Sequence, residues 1–462
     1  MRNRYIGDKA FYKRVITIVI PIIIQNGITN FVSLLDNIMV GQVGTLPMSG
    51  VSIVNQLLFV FNLCIFGATA GAGIFTAQFQ GSGDTEGIRH TFRVKFIICT
   101  FLGLVGTGLF FAADTPLISL FLTGDGNPED AAAILGYGEA YLKMMLPGLL
   151  PFALTSVYAG TLKETGETMV PMLAGVAATL VNLVLNYAFI FGHFGAPAMG
   201  VEGAALATVI SRFAELAIVA GWTHQHKERN AFIVGAYRSM WVPAGLLRNI
   251  VIKGMPLLAN ELTWATGMTF LNQCYSTCGL DVVPALNISS TLFNLTSVVF
   301  MSMGVADGIL MGQMLGASAP KEEVKDYSRK LIAISVTAGV IFGGLTAALS
   351  TVFPHIYNTS HEVRTLAGRL ILIMAAFMAF DAFANAAYFI LRSGGQTYIT
   401  FLFDSGFVWA VMVPLAYCLS RFTGMAILPL YLICQSTNML KAVLGYIFLH
   451  QGKWIQNLAI DR

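Results

Sequence analysis

The chain has 462 residues, of which 56% are apolar and only 11% charged; its mean hydropathy is +0.70 and its formal net charge +3. An ordinary soluble domain carries roughly 25% charged residues, so too little charge is present to cover a water-facing surface of this size. The small net charge also speaks against nucleic acid as a partner, because such proteins carry a strongly basic face.

A spanning helix needs about 20 mostly apolar residues. Twelve apolar segments predict such helices, at about 14–38, 49–77, 93–112, 133–158, 169–191, 201–222, 248–275, 283–310, 330–352, 365–390, 399–419 and 425–449. The first follows Arg2, Arg4, Lys9, Lys13 and Arg14 and continues for a full span without a small-residue cleavage site, which reads as a helix and not a signal peptide. It contains Pro21 and, near its far end, Asp36. Gly71, Gly73, Gly81 and Gly83 in and after the second segment suit close helix packing and a tight turn. Short connections carry turn residues, as in GDGNPED at 124–130 and GHFGAP at 192–197. The fifth segment places Asn182 and Asn186 one turn apart on one face, and the sixth carries Thr208, Arg212 and Glu215, the last two spaced to pair.

The longest connection, about 223–247, predicts two lobes, 1–225 and 248–462, joined by a cytoplasmic loop at 226–247. His224 and His226 stand there without a carboxylate or thiol cluster nearby, which favours a solvated loop over a metal site. Beyond it come Pro256 and Glu261 in the seventh segment, Asp307 in the eighth, Asp381 in the tenth, Asp404 in the eleventh and Lys441 in the twelfth. Pro147, Pro151, Pro171, Pro414 and Pro429 interrupt other segments. Lys441 is expected to snorkel toward the surface. The six cysteines fall in apolar stretches at no redox or zinc spacing and read as buried small residues.

With the N-terminus placed inside, 21 Lys and Arg residues fall on inner loops and helix ends and 4 (Lys143, Arg364, Arg369 and Arg421) on outer ones. The positive-inside rule predicts this bias, and a missed helix would scramble it. The two halves also repeat. A shift of 235 residues lays Pro21 on Pro256, Gly44 on Gly279, Gly73 on Gly308, Gln78 on Gln313 and Gly81 on Gly316. A shift of 229 to 230 lays Tyr158 on Tyr388, LKETGET at 162–168 on LRSGGQT at 391–397, Thr208 on Thr437 and Arg212 on Lys441. Six helices per half make the repeats parallel. The expected fold is all-α: twelve transmembrane helices in two pseudo-symmetric six-helix bundles. Matched prolines at Pro21 and Pro256 mark hinges.

Chemistry is sought among ionisable groups inside spans, where a charge costs several kcal/mol unless paired or wet. Asp36 has no neighbouring cation in sequence, and neither do Glu261 and Asp381. A carboxyl in an apolar site can hold a proton or, with amide and hydroxyl oxygens around it, a sodium ion. Asn182, Asn186 and Thr208 could complete such a site around Asp36, or serve only as interhelical hydrogen bonds. No phosphate loop, nucleotide-binding glycine motif or nucleophile cluster is present, so no catalytic residue and no enzyme activity is expected.

Pro21 with LLDNIMVGQVG at 34–44, Gln78 with GSGD at 81–84, LKETGETMVP at 162–171, NLVLNYAFIFG at 182–192, GVEGAALATVISR at 200–212 and GKWIQNL at 452–458 together resemble the multidrug and toxic compound extrusion (MATE) family. The resemblance implies two six-helix lobes forming a V around a central cavity. It implies export of organic, often cationic, compounds in exchange for inward H+ or Na+ by alternating access. It further implies a first-lobe coupling site on Asp36, Asn182, Asn186 and Thr208, and a second-lobe pair of carboxylates at Glu261 and Asp381. Some members carry Asp where this chain has Asn186; the amide leaves one carboxylate in the cluster and tilts the reading toward a proton. No cofactor beyond the coupling ion is expected, and no metal beyond Na+ at those sites. Expected partners are small organic substrates and membrane lipid, with a monomer in the plasma or inner membrane and both termini cytoplasmic. A lipid-linked saccharide flippase of the same fold would want many basic groups in its cavity, an integral-membrane enzyme a nucleophile or metal cluster, and a channel a fixed pore. The carboxylates do not follow the repeat, since Asp36 falls on Leu271 and Asp381 on Pro151.

Overall fold

A computed structural model describes residues 5–122 and 127–460. Arg2, Arg4 and Arg462 of the charge pattern, and the first three residues of the 124–130 turn, lie outside the described residues. Among those described, every regular element is helical. Twelve are long: α1 (Lys9–Gly41), α2 (Thr45–Ser82), α3 (Thr85–Ala112), α4 (Pro128–Thr165), α5 (Met169–Phe191), α6 (Val201–Gln225), α7 (Ala244–Ser276), α8 (Val282–Gly316), α9 (Lys321–Leu349), α10 (His361–Ser393), α11 (Thr397–Phe422) and α12 (Ile427–Gln451). All but α7 are long and apolar enough to cross a membrane. At 33 residues α7 is long enough, but Arg248, Lys253, Asn260, Glu261 and a run of threonines dilute its apolar character.

Several helices outrun their apolar segments. α3 begins eight residues before its segment and α9 nine residues before, because charged first turns such as Thr85–Phe92 and Lys321–Arg329 stay helical without being apolar. The ninth segment overshoots: α9 stops at Leu349, and Phe353–Ile356 forms a separate 3₁₀ turn. Left-handed Gly166 and Gly192 (φ 97° and 74°) close α4 and α5, a conformation glycine adopts without a Cβ clash.

The prolines act less uniformly than expected. α1 and α7 run unbroken through Pro21 and Pro256. Pro171 and Pro429 sit in the first turns of α5 and α12, where no intrahelical amide bond is lost. Pro147 does interrupt α4, in a 3₁₀ turn at Leu146–Gly148. In α11 the residues before Pro414 form two π turns, Leu402–Gly406 and Val408–Met412, which apolar patterning does not reveal.

Two compact units emerge. One comprises Ile24–Thr76 and Thr85–Arg248, the other Asn249–Arg462 with Met1–Ile23 and Ala77–Asp84. The division within α1 falls just past Pro21. In the first unit α5 pairs with α6, and α4 packs on both α3 and α6. Lys95 of α3, fully buried, forms an ion pair with Glu164 of α4 and donates to Thr161 Oγ1 at 3.3 Å. Residues 231–241 are held on α3 by two arginines. Arg93 donates to the carbonyls of Ala236 (2.9 Å), Gly235 (3.1 Å) and Trp241 (3.1 Å), and Arg89 to that of Phe232 (3.2 Å). His224 meets Tyr158 at 3.1 Å and stacks on Tyr237, whereas His226 turns to the Trp222 carbonyl. Burial, with the Tyr158 phenol alongside, pushes the Tyr237 phenol above its usual range.

In the second unit α10 is central, packed against α8, α9 and α12. Phe11, Val15 and Ile18 join Met303, Leu310, Leu331, Leu391 and Trp454 in one core cluster. Gln78 ties the end of the chain down: its amide donates to the Ser393 carbonyl at 2.8 Å and its oxygen accepts from the Leu458 amide at 2.6 Å. None of the six cysteines is disulfide-bonded, and Cys418 is exposed on its helix, unlike the buried role expected of all six.

Candidate functional site

In the first unit the expected polar cluster is assembled. Asn182 and Asn186 face the same way from α5, and both are buried (6% and 1% exposed). Asn186 Nδ2 donates to Asp36 Oδ1 of α1 at 2.7 Å and to Asn182 Oδ1 at 3.1 Å. Asn182 Nδ2 donates to Thr208 Oγ1 of α6 at 3.2 Å, and the Thr208 hydroxyl donates to the Ala204 carbonyl at 3.0 Å. With the Asn182 amide turned over, its nitrogen instead reaches both Asp36 oxygens, at 3.2 and 3.0 Å, and its oxygen accepts from Thr208. The turned orientation satisfies both ends of the Asn182 amide, so Asn182 as well as Asn186 donates to Asp36.

Asn186 Oδ1 is buried with no hydrogen-bond partner. A buried acceptor left unpaired costs about 1–3 kcal/mol, so this spare oxygen beside a carboxylate is a natural ligand for a small cation. Gln25 of α1 was not singled out by sequence. Its side chain lies against Gly175 of α5, where an added Cβ would come within 2.8 Å of Nε2, and its Oε1 is likewise buried without a partner. The signal was available: an uncharged polar residue inside a span, four positions after Pro21.

In the second unit Glu261 and Asp381 stand on α7 and α10. No hydrogen bond joins Glu261 of α7 to Asp381 of α10. Glu261 has Arg392 and Asp404 as charged neighbours, and Asp381 has Lys441. Lys441 does not snorkel away: its ammonium pairs with Asp404 of α11 at 2.6 Å. Arg212 has Glu215 as a charged neighbour, as expected, and also donates to the Gly148 carbonyl at 3.3 Å and lies 5.0 Å from the centre of the Phe152 ring. That carbonyl belongs to the 3₁₀ turn Leu146–Gly148, and sequence spacing could not foresee the bond. Asp307 is fully buried, with Ser335 Oγ 3.0 Å from its Oδ2. Among the described residues no group of three His, Cys, Asp or Glu side chains could hold a metal ion.

Comparison with known proteins agrees with the geometry. The MatE family model matches residues 21–188 and again 256–418. The two matches start at Pro21 and Pro256, so the internal repeat and the family unit share one register. The chain is 26% identical over 459 residues to the probable multidrug resistance protein NorM of Thermotoga maritima, covering 97% of this chain and 94% of that one. It is 24% identical over 409 residues to the multidrug resistance protein MdtK of Proteus mirabilis, covering 87% and 86%. Its fold matches an outward-facing multidrug resistance MATE family transporter with a TM-score of 0.87 at 20% identity over 96% of each chain. It also matches the Asp-to-Asn mutant of the Vibrio cholerae MATE transporter VcmN, with a TM-score of 0.84 at 18% identity over 98% and 99%. The chain therefore belongs to the multidrug and toxic compound extrusion family, as a multi-pass α-helical membrane protein with the fold of that family's transporters.

Proposed function

We propose that this protein is a secondary active multidrug exporter that moves organic, often cationic, compounds outward in exchange for inward H+ or Na+ by alternating access. The observation that carries this reading is the Asp36–Asn186–Asn182–Thr208 cluster: one carboxylate, two amides and a hydroxyl from α1, α5 and α6, with a spare buried oxygen on Asn186. Ion or proton binding there neutralises Asp36 and changes which contacts α1 prefers. An ion that binds two conformations unequally shifts their balance by that difference and no more. Pro21, near the place where α1 passes from one compact unit to the other, is the proposed hinge, with Pro256 its repeat counterpart.

Glu261 and Asp381 supply negative charge for coupling in the second unit. The Lys and Arg distribution supports cytoplasmic termini; a monomer in the plasma or inner membrane is part of the same proposal. A saccharide flippase is the weaker reading, because Lys441 is engaged by Asp404 and Arg212 by a carbonyl and a ring. The test is dye efflux by Asp36→Asn in vesicles, with sodium and proton gradients imposed separately. Transport in the wild type should follow one gradient and be lost in the variant; undiminished transport in Asp36→Asn would remove Asp36 from the mechanism.

A further inference from the structure

The second unit contains a charged cluster that lies outside the Glu261 and Asp381 expectation. Asp404 of α11 accepts from Lys441 Nζ of α12 at 2.6 Å through Oδ1, and from Asn260 Nδ2 of α7 at 3.1 Å through Oδ2. Asn260 is 2% exposed and is clamped from its other side. Its Oδ1 accepts from the Ser405 amide at 3.2 Å and from Ser405 Oγ at 2.7 Å. Tyr388 of α10 adds its hydroxyl, 3.4 Å from the same amide nitrogen. Three helices thus meet at one carboxylate, and α10 joins them through the Asn260 amide.

Two features set this pair apart from an ion pair that merely holds helices together. Asp404 and Ser405 lie in the π turn Leu402–Gly406. Such turns are rare and concentrate at functional sites, because they re-aim side chains at the cost of helical regularity. Nor is the pair sealed: the Asp404 and Lys441 side chains are 20% and 16% exposed, so a ligand can reach them. The surrounding charges are Glu261 from α7, Arg392 and Asp381 from α10, and Lys441 from α12, with the phenols of Tyr388 and Tyr431 facing the same groups. Three carboxylates therefore face two cations. While Lys441 rests on Asp404 there is room for one more positive charge; if it leaves, there is room for two.

We propose that Asp404 is a cation-binding carboxylate of the second unit and that Lys441 is its tethered competitor, which a monovalent cation must displace to bind. The organic identity of that cation rests on the export reading above. Lysine suits the part, since its charge is compact and its four-carbon stem flexible. The Phe403 ring, whose centre is 5.4 Å from Nζ, offers the ammonium a second resting place.

The experiment measures binding of tetraphenylphosphonium, and separately of Na+, to the purified full-length protein at pH 8. In Lys441→Met, Asp404 loses its ammonium partner and keeps only the Asn260 amide. Binding of the cation is expected to be about tenfold tighter than wild type. Asp404→Asn strands the ammonium and is expected to weaken binding by a similar factor, the opposite sign. Asp404→Asn with Lys441→Met should lose the gain. A purely structural pair would weaken binding in both single variants alike, or in neither. The proposal is overturned if neither probe binds more tightly to Lys441→Met at pH 8, or if the double variant keeps the gain; should Lys441→Met not fold, Asp404→Asn binding as wild type does overturns it. A gain in Lys441→Met without transport by the wild type would sink the export reading and leave this one standing.

Discussion

Gly81 and Gly316, separated by 235 residues, meet the same obstacle from opposite sides. A Cβ on Gly81 would overlap the main-chain carbonyl of Gln313, and a Cβ on Gly316 would overlap the carbonyl of Gln78. Gln78 and Gln313 are themselves repeat equivalents, so the end of α2 and the end of α8 cross at a local two-fold relation. Each glycine is what lets the other helix's backbone approach.

Gly81→Ala or Gly316→Ala forces the backbone apart, since the obstructing atom is a carbonyl and not a flexible side-chain end. Overpacking costs typically 1–3 kcal/mol, and each variant is expected to lose about 2 kcal/mol. Thermal melting in detergent checks this. Gly83→Ala is the control for the clash: nothing lies within 4 Å of a Cβ there, and only its left-handed backbone (φ 74°) resists the change.

Lys95, fully buried, pairs with the partly exposed Glu164, and leaving a buried charge without its partner costs about 3–5 kcal/mol because it stays in a low-dielectric site. Glu164→Ala leaves the fully buried Lys95 ammonium with Thr161 Oγ1. It should be strongly destabilised, and adding Lys95→Met should restore most of the loss. A double-mutant cycle in melting temperature that proves additive would show that the two do not depend on each other.

Asn186→Ala removes the amide that donates to Asp36 at 2.7 Å. A hydrogen bond to a charged group is worth about 1.5–3 kcal/mol. Gradient-driven efflux is expected to fall about tenfold, with protein abundance nearly unchanged. Asn182→Ala should act in the same direction, because the turned Asn182 amide reaches both Asp36 oxygens.

Arg93→Ala takes away three hydrogen bonds to the carbonyls of Gly235, Ala236 and Trp241. The connection is then held by Arg89 and by ring contacts of Phe232 and Tyr237. Limited proteolysis within 226–247 should be at least tenfold faster than in wild type, while the melting temperature falls by a few degrees. Equal cleavage rates would show that Arg93 does not secure this segment.

Much of the architecture was legible because a bilayer imposes it. Twelve apolar segments, their charge bias and the 235-residue register all follow from local composition, and the family match falls on that register. The cluster around Asp36 was legible for a related reason: uncharged polar residues inside spans are few, and helical spacing places Asn182 and Asn186 on one face. The second unit was harder to read. Glu261 and Asp381 stood out because both lack cations nearby in sequence; their charged neighbours, Arg392 and Asp404 for the first and Lys441 for the second, come from other helices. Lys441 looked like a snorkelling lysine because it stands 37 positions from the carboxylate that holds it.

Composition and periodicity thus determined the helices, their number and the repeat, since each depends only on neighbouring residues and on the solvent they face. Tertiary structure decided which buried charges meet. That choice turns on the π turn that carries Asp404, the 3₁₀ turn that carries the Gly148 carbonyl, and the side-chain reach of Lys441 and Arg212 across helices. None of these leaves a periodic trace in the chain, because each is set by packing between segments far apart in sequence.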